Sequence, residues 1–272
     1  MRRRLDTEMV RRGLVRSRSQ ALSEIDAGRV TVGGAPAGKA ATLVAAAQPI
    51  EVLGPPPRFV GRGGDKLDAA LDHFGVDVAG RRGLDAGAST GGFTDCLLQR
   101  GAAEVVAVDV GHGQLHERLR GDPRVTVRER TDVRTVNPSD VGMPVDVVVA
   151  DVSFISLRTV LPALVALAAP GAPLVALVKP QFEAGRREAS RGRGVVRDPE
   201  VWRRALDDVV TAVQAQGAAM MGVMVSPLTG ARGNVEFLVH LVAPGSYEAP
   251  GTSLVDFGAV IAQAVRRHGA PG

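Results

Sequence analysis

The sequence predicts an α/β protein in which a mostly parallel β-sheet follows a small α+β domain. From residue 63 onward, short apolar runs alternate with helical patterns, which is typical of a parallel sheet covered by helices on both faces. The last two apolar runs have only a loop between them, so the last strand is expected to run antiparallel to its neighbour. Residues 1–54 instead combine two short helical patterns with two short strand patterns.

The first domain is predicted over residues 1–54. One helical pattern lies around Leu5 and Met9, and a second can be capped by a serine at position 17 or 19 and ends at Gly28. "RVTV" and "PIEVL" follow as strand partners. The proline-rich "GPPP" marks the boundary, so residues 55–62 are assigned to an interdomain linker and residues 63–272 to a second domain.

The second domain is expected to contain seven strands, in "GLDAG", "EVVAVDVG", "RVTVRERTD", "VDVVVADVSF", "PLVALVKPQF", "AAMMGVMVSPL" and "NVEFLVHLV". Helices are expected in "GRGGDKLDAALDHF", "GFTDCLLQRG", "QLHERLRG", "SLRTVLPALVALAAP", "DPEVWRRALDDVVTAVQAQG" and "SLVDFGAVIAQAVRR". The longest uncharged stretch, Leu161 to Val178, is interrupted by Pro170, Gly171 and Pro173. It is therefore interpreted as a helix, a turn and a strand, and not as a membrane span.

The formal net charge of +4 is unevenly distributed. Residues 1–66 hold 12 Lys/Arg against 6 Asp/Glu, and the other residues hold 21 against 23. A basic first domain predicts contact with a polyanion, and a solvated arginine-rich surface is the alternative. The single Cys96 excludes a disulfide framework, and the polar start of the chain lacks the apolar segment of a signal peptide. A cytoplasmic protein is expected.

The loop in "LDAGASTGGFTD" has the pattern G-x-x-x-G-G between a strand and a helix. It lacks the Lys-Ser/Thr of a nucleotide-triphosphate loop and the spacing of the dinucleotide fingerprint. Acidic residues end the first three strands, and they suit S-adenosylmethionine, which carries no phosphate. Asp85 can meet its ammonium or an adjacent donor, Asp109 its ribose hydroxyls and Asp132 its adenine amine. The predicted cofactor-binding residues are Asp85, Gly87, Ser89, Thr90, Gly91, Gly92, Phe93, Asp109 and Asp132. A turn that only packs a helix on a strand is the alternative.

Candidate catalytic residues lie at the carboxyl ends of the predicted parallel strands. Asp151 and Lys179 end the fourth and fifth strands, and Glu236 begins the antiparallel one, at the same edge of the sheet. Lys66 lies in the helix before the first strand. Two lysines and two carboxylates are therefore expected to meet in one crevice.

This set of side chains suits methyl transfer to a sugar hydroxyl, which needs a base to take its proton. A neutral lysine can be that base. Lys179 is the predicted base, with Lys66 favouring its neutral form or orienting the hydroxyl, and with Asp151 and Glu236 positioning the lysines. Two ordinary ion pairs at the rim of a cleft are the alternative. Residues 151–154 read Asp-Val-Ser-Phe and lack the paired prolines typical of base-amine methylation. Cys96 lies on the helix after the first strand, away from where a nucleophile for cytosine C5 is needed.

Several motifs give the chain a resemblance to the TlyA-type proteins along nearly its whole length. "RLDTEMVRRGLVRSRSQALSEIDAGRVTVGG" resembles an S4 RNA-binding domain. "LDAGASTGGFTD", "DVGHGQL", "VADVSFISL", "LVKPQFE" and "GNVEF", in this order, resemble an FtsJ-like methyltransferase. The resemblance implies a Rossmann-like class I methyltransferase sheet and 2′-O-methylation of cytidine in ribosomal RNA (16S, 23S or both). It also places the family's Lys-Asp-Lys-Glu tetrad on Lys66, Asp151, Lys179 and Glu236.

The sequence departs from the family pattern at four points. His112 stands where the family usually has tyrosine, and Asp132 where it usually has asparagine. The segment before Lys66 reads "GRGGDK" and not "SRGAHK", and the joining segment around Phe59 also differs. The first two departures affect the expected contacts with the adenosine group.

Arginines are the predicted RNA contacts, because phosphates dominate RNA affinity. The selected residues are Arg4, Arg16, Arg18, Arg62, Arg130 and Arg134. Arg11, Arg12 and Arg29 are second-choice candidates. A solvated surface is the alternative for each. With one Trp and one Tyr in the chain, recognition is expected to rest on RNA shape and phosphates, plus one nucleotide flipped toward the methyl group.

The partners expected are ribosomal RNA or ribosomal subunits, and the chain is expected to be a monomer without a metal. The family also carries haemolysin names, so a membrane-active protein is one alternative function. A non-catalytic RNA-binding protein is another. The sequence identifies neither the target nucleotide nor the ribosomal subunit that carries it.

Overall fold

The computed structural model describes residues 2–15, 17–54, 57–142, 144–185, 194–245 and 255–269. The chain forms two compact units, Met1–Arg62 and Gly63–Gly272. The linker predicted over residues 55–62 is not a separate unit in this division, and its role stays a prediction.

The described residues of unit 1 form two helices and five short strands. The helices are α1 (Leu5–Arg11) and α2 (Arg18–Asp26), and the strands are β1 (Arg2–Arg4), β2 (Val30–Val32), β3 (Ala35–Pro36), β4 (Leu43–Ala45) and β5 (Ile50–Val52). The predicted pairing of "RVTV" with "PIEVL" is confirmed, because β2 pairs antiparallel with β5. β3 pairs with the other edge of β2, and β1 pairs antiparallel with β4. The hydroxyl of Ser17 accepts from the Gln20 N–H and caps α2, as one of the two predicted serines.

Unit 1 has its own apolar core. Leu5 and Met9 from α1 and Ala21 and Ile25 from α2 pack with strand residues such as Val30. These side chains recur at helical spacing, so each helix turns one face inward and leaves its arginines outside. The module therefore buries a core without using unit 2.

Unit 2 begins with α3 (Gly63–Phe74) and contains a seven-stranded sheet. The strands are β6 (Arg82–Ala86), β7 (Glu104–Val108), β8 (Val125–Arg128), β9 (Val147–Ala150), β10 (Pro173–Val178), β11 (Ala219–Val225) and β12 (Phe237–Val242). The further helices are α4 (Gly92–Gln99), α5 (Glu117–Arg120), α6 (Leu157–Leu167), α7 (Pro180–Glu183), α8 (Pro199–Ala215) and α9 (Phe257–His268). All seven predicted strands are present.

The sheet has the strand order β11-β12-β10-β9-β6-β7-β8. The five strands from β10 to β8 are parallel, and β12 runs antiparallel to both β10 and β11. The predicted fold class, a mostly parallel Rossmann-like sheet with an antiparallel last strand, is confirmed. The start of β12 therefore lies beside the carboxyl end of β10.

Helices pack on both faces of the sheet. In β6, Leu84 belongs to the core cluster that contains Leu161 of α6. The neighbouring Gly83 faces Leu97 of α4, whose Cδ1 atom would lie 3.1 Å from a Cβ at that position. Adjacent strand residues point to opposite faces, so α4 and α6 cover different sides.

One predicted helix is much shorter in the structure, and the longest uncharged stretch has the predicted organisation. The helix predicted in "QLHERLRG" is only the four-residue α5. The uncharged stretch from Leu161 to Val178 is the end of α6, a turn and β10, as predicted. Among the residues that the structure describes, no helix is long and apolar enough to cross a membrane.

Candidate active site

A cavity of about 540 Å³ opens in unit 2, next to the carboxyl ends of β6, β7, β8 and β9. Loops that leave parallel strands meet at this edge, where such sheets bind ligands. Its lining residues include Gly87, Ser89, Asp109, Gln114, Asp132, Asp151 and Phe154. The volume lies in the usual range for a small-molecule site.

The glycine loop needs its glycines for conformation and for space. Gly87 and Gly91 have φ values of +86° and +96°, in the left-handed region. A Cβ at Gly87 would lie 2.7 Å from the Asp151 carbonyl oxygen, and one at Gly91 would lie 2.2 Å from Leu119. Ser89 and Thr90 are exposed at the tip of the loop, while Gly92 and Phe93 are buried in the first turn of α4.

Asp85, at the end of β6, is fully buried below this loop. Its Oδ2 atom accepts from the Thr94 backbone N–H at 2.8 Å and the Thr94 hydroxyl at 2.6 Å. Its Oδ1 atom has no hydrogen-bond partner among the residues that the structure describes. Burial raises the pKa of Asp85 to about 7, because it disfavours the charged carboxylate. The hydrogen bonds from Thr94 lower this pKa, and the nearby charges of Asp151 and Asp109 raise it further.

Asp109 organises the loop after β7. Its Oδ2 atom accepts from the Ser89 N–H at 2.8 Å, and its Oδ1 atom accepts from the Gly111 N–H at 2.6 Å. The Ser89 hydroxyl also donates to the side-chain oxygen of Gln114. The half-buried Asp109 therefore ties the two loops on this side of the cavity together.

Asp132, in the loop after β8, also lines the cavity. The Arg134 guanidinium donates to both of its oxygens, with Nη2–Oδ2 at 2.5 Å and Nε–Oδ1 at 3.0 Å. Arg134 thereby lowers the pKa of Asp132. The predicted adenine-binding acid and a predicted RNA-binding arginine thus form one ion pair.

The four predicted catalytic residues form two ion pairs. Lys179 Nζ lies 2.5 Å from Asp151 Oδ1, and Lys66 Nζ lies 2.5 Å from Glu236 Oε2. The two lysines are 7% and 8% exposed, so both amines are largely withdrawn from solvent. Lys179 also donates to the Ser153 hydroxyl at 2.8 Å.

The Lys66 helix begins beside Asp151, which brings the two ion pairs into one region of unit 2. Gly63 begins the helix that carries Lys66, and a Cβ there would lie 3.8 Å from Asp151 Oδ2. Glu236 is enclosed by its own loop, because a Cβ at Gly230 would lie 1.9 Å from its Oε1 atom. A glycine at position 230 therefore leaves room for the Glu236 carboxylate, while Gly63 places the start of the Lys66 helix beside Asp151.

Phe154 is an exposed apolar residue at the cavity. It is 92% exposed and has a φ of +65°, which is unusual for a phenylalanine. Its ring lies 5.3 Å from the Phe182 ring, which in turn lies 5.9 Å from Lys179 Nζ. The mouth of the cavity thus presents an aromatic surface near the buried amine.

The sequence analysis missed three residues of this site. Ser153 holds Lys179, Thr94 holds Asp85, and Gln114 contacts Ser89. One signal for the lysines was present in the composition: Lys39, Lys66 and Lys179 are the only lysines among 33 Lys/Arg residues. Two of the three lysines form the buried ion pairs of this site, whereas Lys39 is exposed in unit 1.

The predicted RNA-binding arginines have different environments. Arg4 and Arg18 both bind the buried Asp6 in unit 1, and Arg62 is exposed at the end of that unit. In unit 2, Arg130 is exposed with a φ of +53°, and its N–H donates to the Gly111 carbonyl. Arg16 lies outside the described residues. Among the described residues, no cluster of His, Cys, Asp or Glu could hold a metal ion.

Comparisons with known proteins match both units. A model of FtsJ-like methyltransferases matches residues 59–243, and a model of the S4 domain matches residues 3–48. The chain is 54% identical over 241 residues to a 16S/23S rRNA (cytidine-2′-O)-methyltransferase TlyA of Mycobacterium tuberculosis, covering 88% of this chain and 90% of that protein. It is 38% identical to Hemolysin A of Brachyspira hyodysenteriae, covering 88% and 99%. A solved structure with a hemolysin name from Streptococcus thermophilus has a TM-score of 0.77 at 38% identity, covering 97% and 96%.

Proposed function

The chain belongs to the TlyA family of S4-domain, FtsJ-like methyltransferases, and from this membership we propose that it transfers a methyl group from S-adenosylmethionine to a cytidine ribose 2′-hydroxyl in ribosomal RNA. The observation that carries the proposal is the pair of buried lysines, each on a carboxylate, at the edge of the sheet where Asp151, the partner of Lys179, lines the cavity. Because its substrate is ribosomal RNA, the enzyme works in the cytoplasm.

The cavity fits the methyl donor. Gly87 and Ser89 of the glycine loop line the cavity, as do the acidic residues Asp109 and Asp132. The free Oδ1 atom of Asp85 offers a buried acceptor below the loop. When bound, S-adenosylmethionine supplies a methyl group already activated by its sulfonium, so the protein's task is to position and deprotonate the acceptor.

Lys179 takes the proton from the 2′-hydroxyl as the methyl group arrives. Asp151 and the Ser153 hydroxyl fix its amine from two directions, so the nitrogen is already oriented. Lys66, held by Glu236, orients the hydroxyl from the other side of the site. The exposed Phe154 ring can stack on the unpaired base of the target nucleotide.

Substituting Lys179 tests the base directly. The Lys179→Arg variant keeps the positive charge but replaces the proposed base with a guanidinium, which stays protonated in proteins, so we expect kcat to fall at least about 100-fold. Lys179→Ala and Lys66→Ala should also be inactive. The measurement is transfer of tritiated methyl from S-adenosylmethionine to purified small and large ribosomal subunits and to naked rRNA.

The matched control is Lys39→Arg, which changes the third lysine, an exposed residue of unit 1. It should retain the kcat of the unmodified chain. Activity of Lys179→Arg within a few-fold of the unmodified enzyme would show that the site needs a charge and not a base.

A further inference from the structure

A buried carboxylate in unit 1 holds two exposed arginines side by side. The Asp6 side chain is 1% exposed, whereas those of Arg4 and Arg18 are 47% and 61% exposed. Arg4 donates from Nε to Oδ1 at 3.1 Å and from Nη2 to Oδ2 at 3.0 Å. Arg18 donates from Nη2 to the same Oδ2 atom at 2.8 Å. One oxygen atom thus brings the two guanidinium groups together.

The three residues come from three different elements. Arg4 ends β1, Asp6 lies in the first turn of α1, and Arg18 begins α2. The Thr7 N–H and hydroxyl also donate to Asp6 Oδ1, which fixes the carboxylate itself. The Arg4 hydrogen bond, followed by that of Arg18, holds the pKa of Asp6 well below its usual range. Asp6 is therefore a charged, rigid support at neutral pH.

Asp6 leaves donors of both arginines available. It engages Nε and Nη2 of Arg4 and Nη2 of Arg18, and neither Nη1 group. Arg12, the residue that follows α1, is different, because it is 20% exposed and donates to the carbonyls of Ala45, Ala46 and Gln48. Arg12 ties the module together, while Arg4 and Arg18 present guanidinium groups to the surface.

We propose that Asp6 is a positioning residue that presets Arg4 and Arg18 as a two-guanidinium clamp for one phosphodiester of ribosomal RNA. An arginine that is already fixed loses less side-chain entropy when it binds a phosphate. The two arginines and Asp6 together retain one positive charge, which matches the single negative charge of a phosphodiester. This inference rests on the proposed function, because it assumes an RNA substrate.

The alternative role of Asp6 makes the opposite prediction. If Asp6 only neutralises part of the basic surface, its removal adds positive charge and strengthens RNA binding. If Asp6 positions the arginines, its removal weakens RNA binding although the net charge increases. The sign of the change therefore separates the two roles.

The test compares Asp6→Asn with the unmodified full-length chain. We expect its Kd for purified ribosomal subunits, measured by direct binding at fixed ionic strength, to rise about five- to tenfold. The KM for S-adenosylmethionine should stay unchanged, because that site lies in unit 2. The charge-matched control is Glu51→Gln, an exposed carboxylate of unit 1, which should leave the Kd unchanged or slightly lower it.

A second variant covers the case in which Asp6→Asn does not fold, as judged by thermal melting. Arg4→Lys keeps the positive charge but cannot span both oxygens of Asp6, so its Kd should also rise. Where Asp6→Asn folds, adding Arg4→Lys to it should change the Kd little further, because Asp6→Asn has already released Arg4. A Kd equal to or below that of the unmodified chain, for folded Asp6→Asn or for Arg4→Lys, overturns the proposal.

Direct binding separates this inference from the proposed function. Subunits that bind the unmodified chain but receive no methyl group would contradict the proposed activity and leave the Asp6 comparison valid. Methyl transfer that proceeds normally, with Asp6→Asn binding as tightly as the unmodified chain, would contradict only the positioning role.

Discussion

Individual residues of the site could be predicted where topology alone determines their place. Asp151 and Lys179 follow parallel strands, and Glu236 precedes the antiparallel one, so the strand order brings all three to one edge of the sheet. Their pairing could not be predicted in the same way. That Lys179 binds Asp151 and Ser153, while Lys66 binds Glu236, depends on side-chain directions that no sequence pattern encodes.

Asp85 provides a residue-scale prediction about pH. Its pKa is about 7 in the folded chain and about 3.8 when unfolded, because burial disfavours the charged form. The cost of burying the charge is therefore absent below pH 4, grows as the pH rises and is complete above pH 7. Without S-adenosylmethionine, the unmodified chain should lose about 2 to 3 kcal/mol of stability relative to Asp85→Asn between pH 5 and pH 7.5.

Thermal melting of both proteins across this pH range provides the measurement. Asp77→Asn, a change at an exposed carboxylate, is the control and should follow the unmodified chain at every pH. Parallel melting curves for Asp85→Asn and the unmodified chain would mean that the pKa of Asp85 is not raised by folding.

At the scale of elements, Glu183 connects the segments that carry Asp151 and Lys179, the proposed catalytic pair. Its Oε1 atom accepts from the Leu157 N–H at 2.7 Å, and its Oε2 atom accepts from the Ser156 hydroxyl at 2.5 Å. Arg158 strengthens the link, since it donates to the Glu183 side chain and carbonyl and to Asp208 of α8. The Glu183 side chain thereby links the loop after β9 to the turn after β10.

Removing this link should affect catalysis more than cofactor binding. In Glu183→Gln, the amide replaces an oxygen that accepts from Ser156 or Leu157, so the Lys179–Asp151 contact loses its support. We expect kcat to fall about tenfold, with a much smaller change in the KM for S-adenosylmethionine. Steady-state methyl transfer measures both constants.

The control for this prediction is Asp208→Asn, which changes only the exposed outer partner of Arg158. Its kcat should stay close to that of the unmodified enzyme. Equal kcat values for Glu183→Gln and Asp208→Asn, with both proteins folded, would show that the link does not position the catalytic pair.

The elements themselves could be predicted where they are long and periodic. The seven strands of the large sheet and α3, α6 and α8 have clear patterns, and the structure contains them. The strands β1, β3 and β4 have two or three residues each and were missed. Such short strands depend on pairing partners distant in sequence, and β1 consists of three exposed arginines that carry no apolar alternation.

At the scale of the whole molecule, charge and chemistry are divided between the two units. Unit 1 contains the arginines that Asp6 fixes, and unit 2 contains the cavity and both lysine–carboxylate pairs. Each unit has its own apolar core. The uneven charge of the sequence indicated that the two units differ in this way. The atom that accepts the methyl group had to be inferred from the chemistry of the site.

The chemical position of the transferred methyl group tests the central claim most directly. Ribosomal subunits treated with the unmodified full-length enzyme and S-adenosylmethionine would be digested to nucleosides, and the product identified by mass spectrometry beside a Lys179→Arg reaction. The account predicts 2′-O-methylcytidine with the unmodified enzyme and none with the variant. A methyl group on the cytosine base, or on a ribose at an undiminished rate with Lys179→Arg, would contradict it.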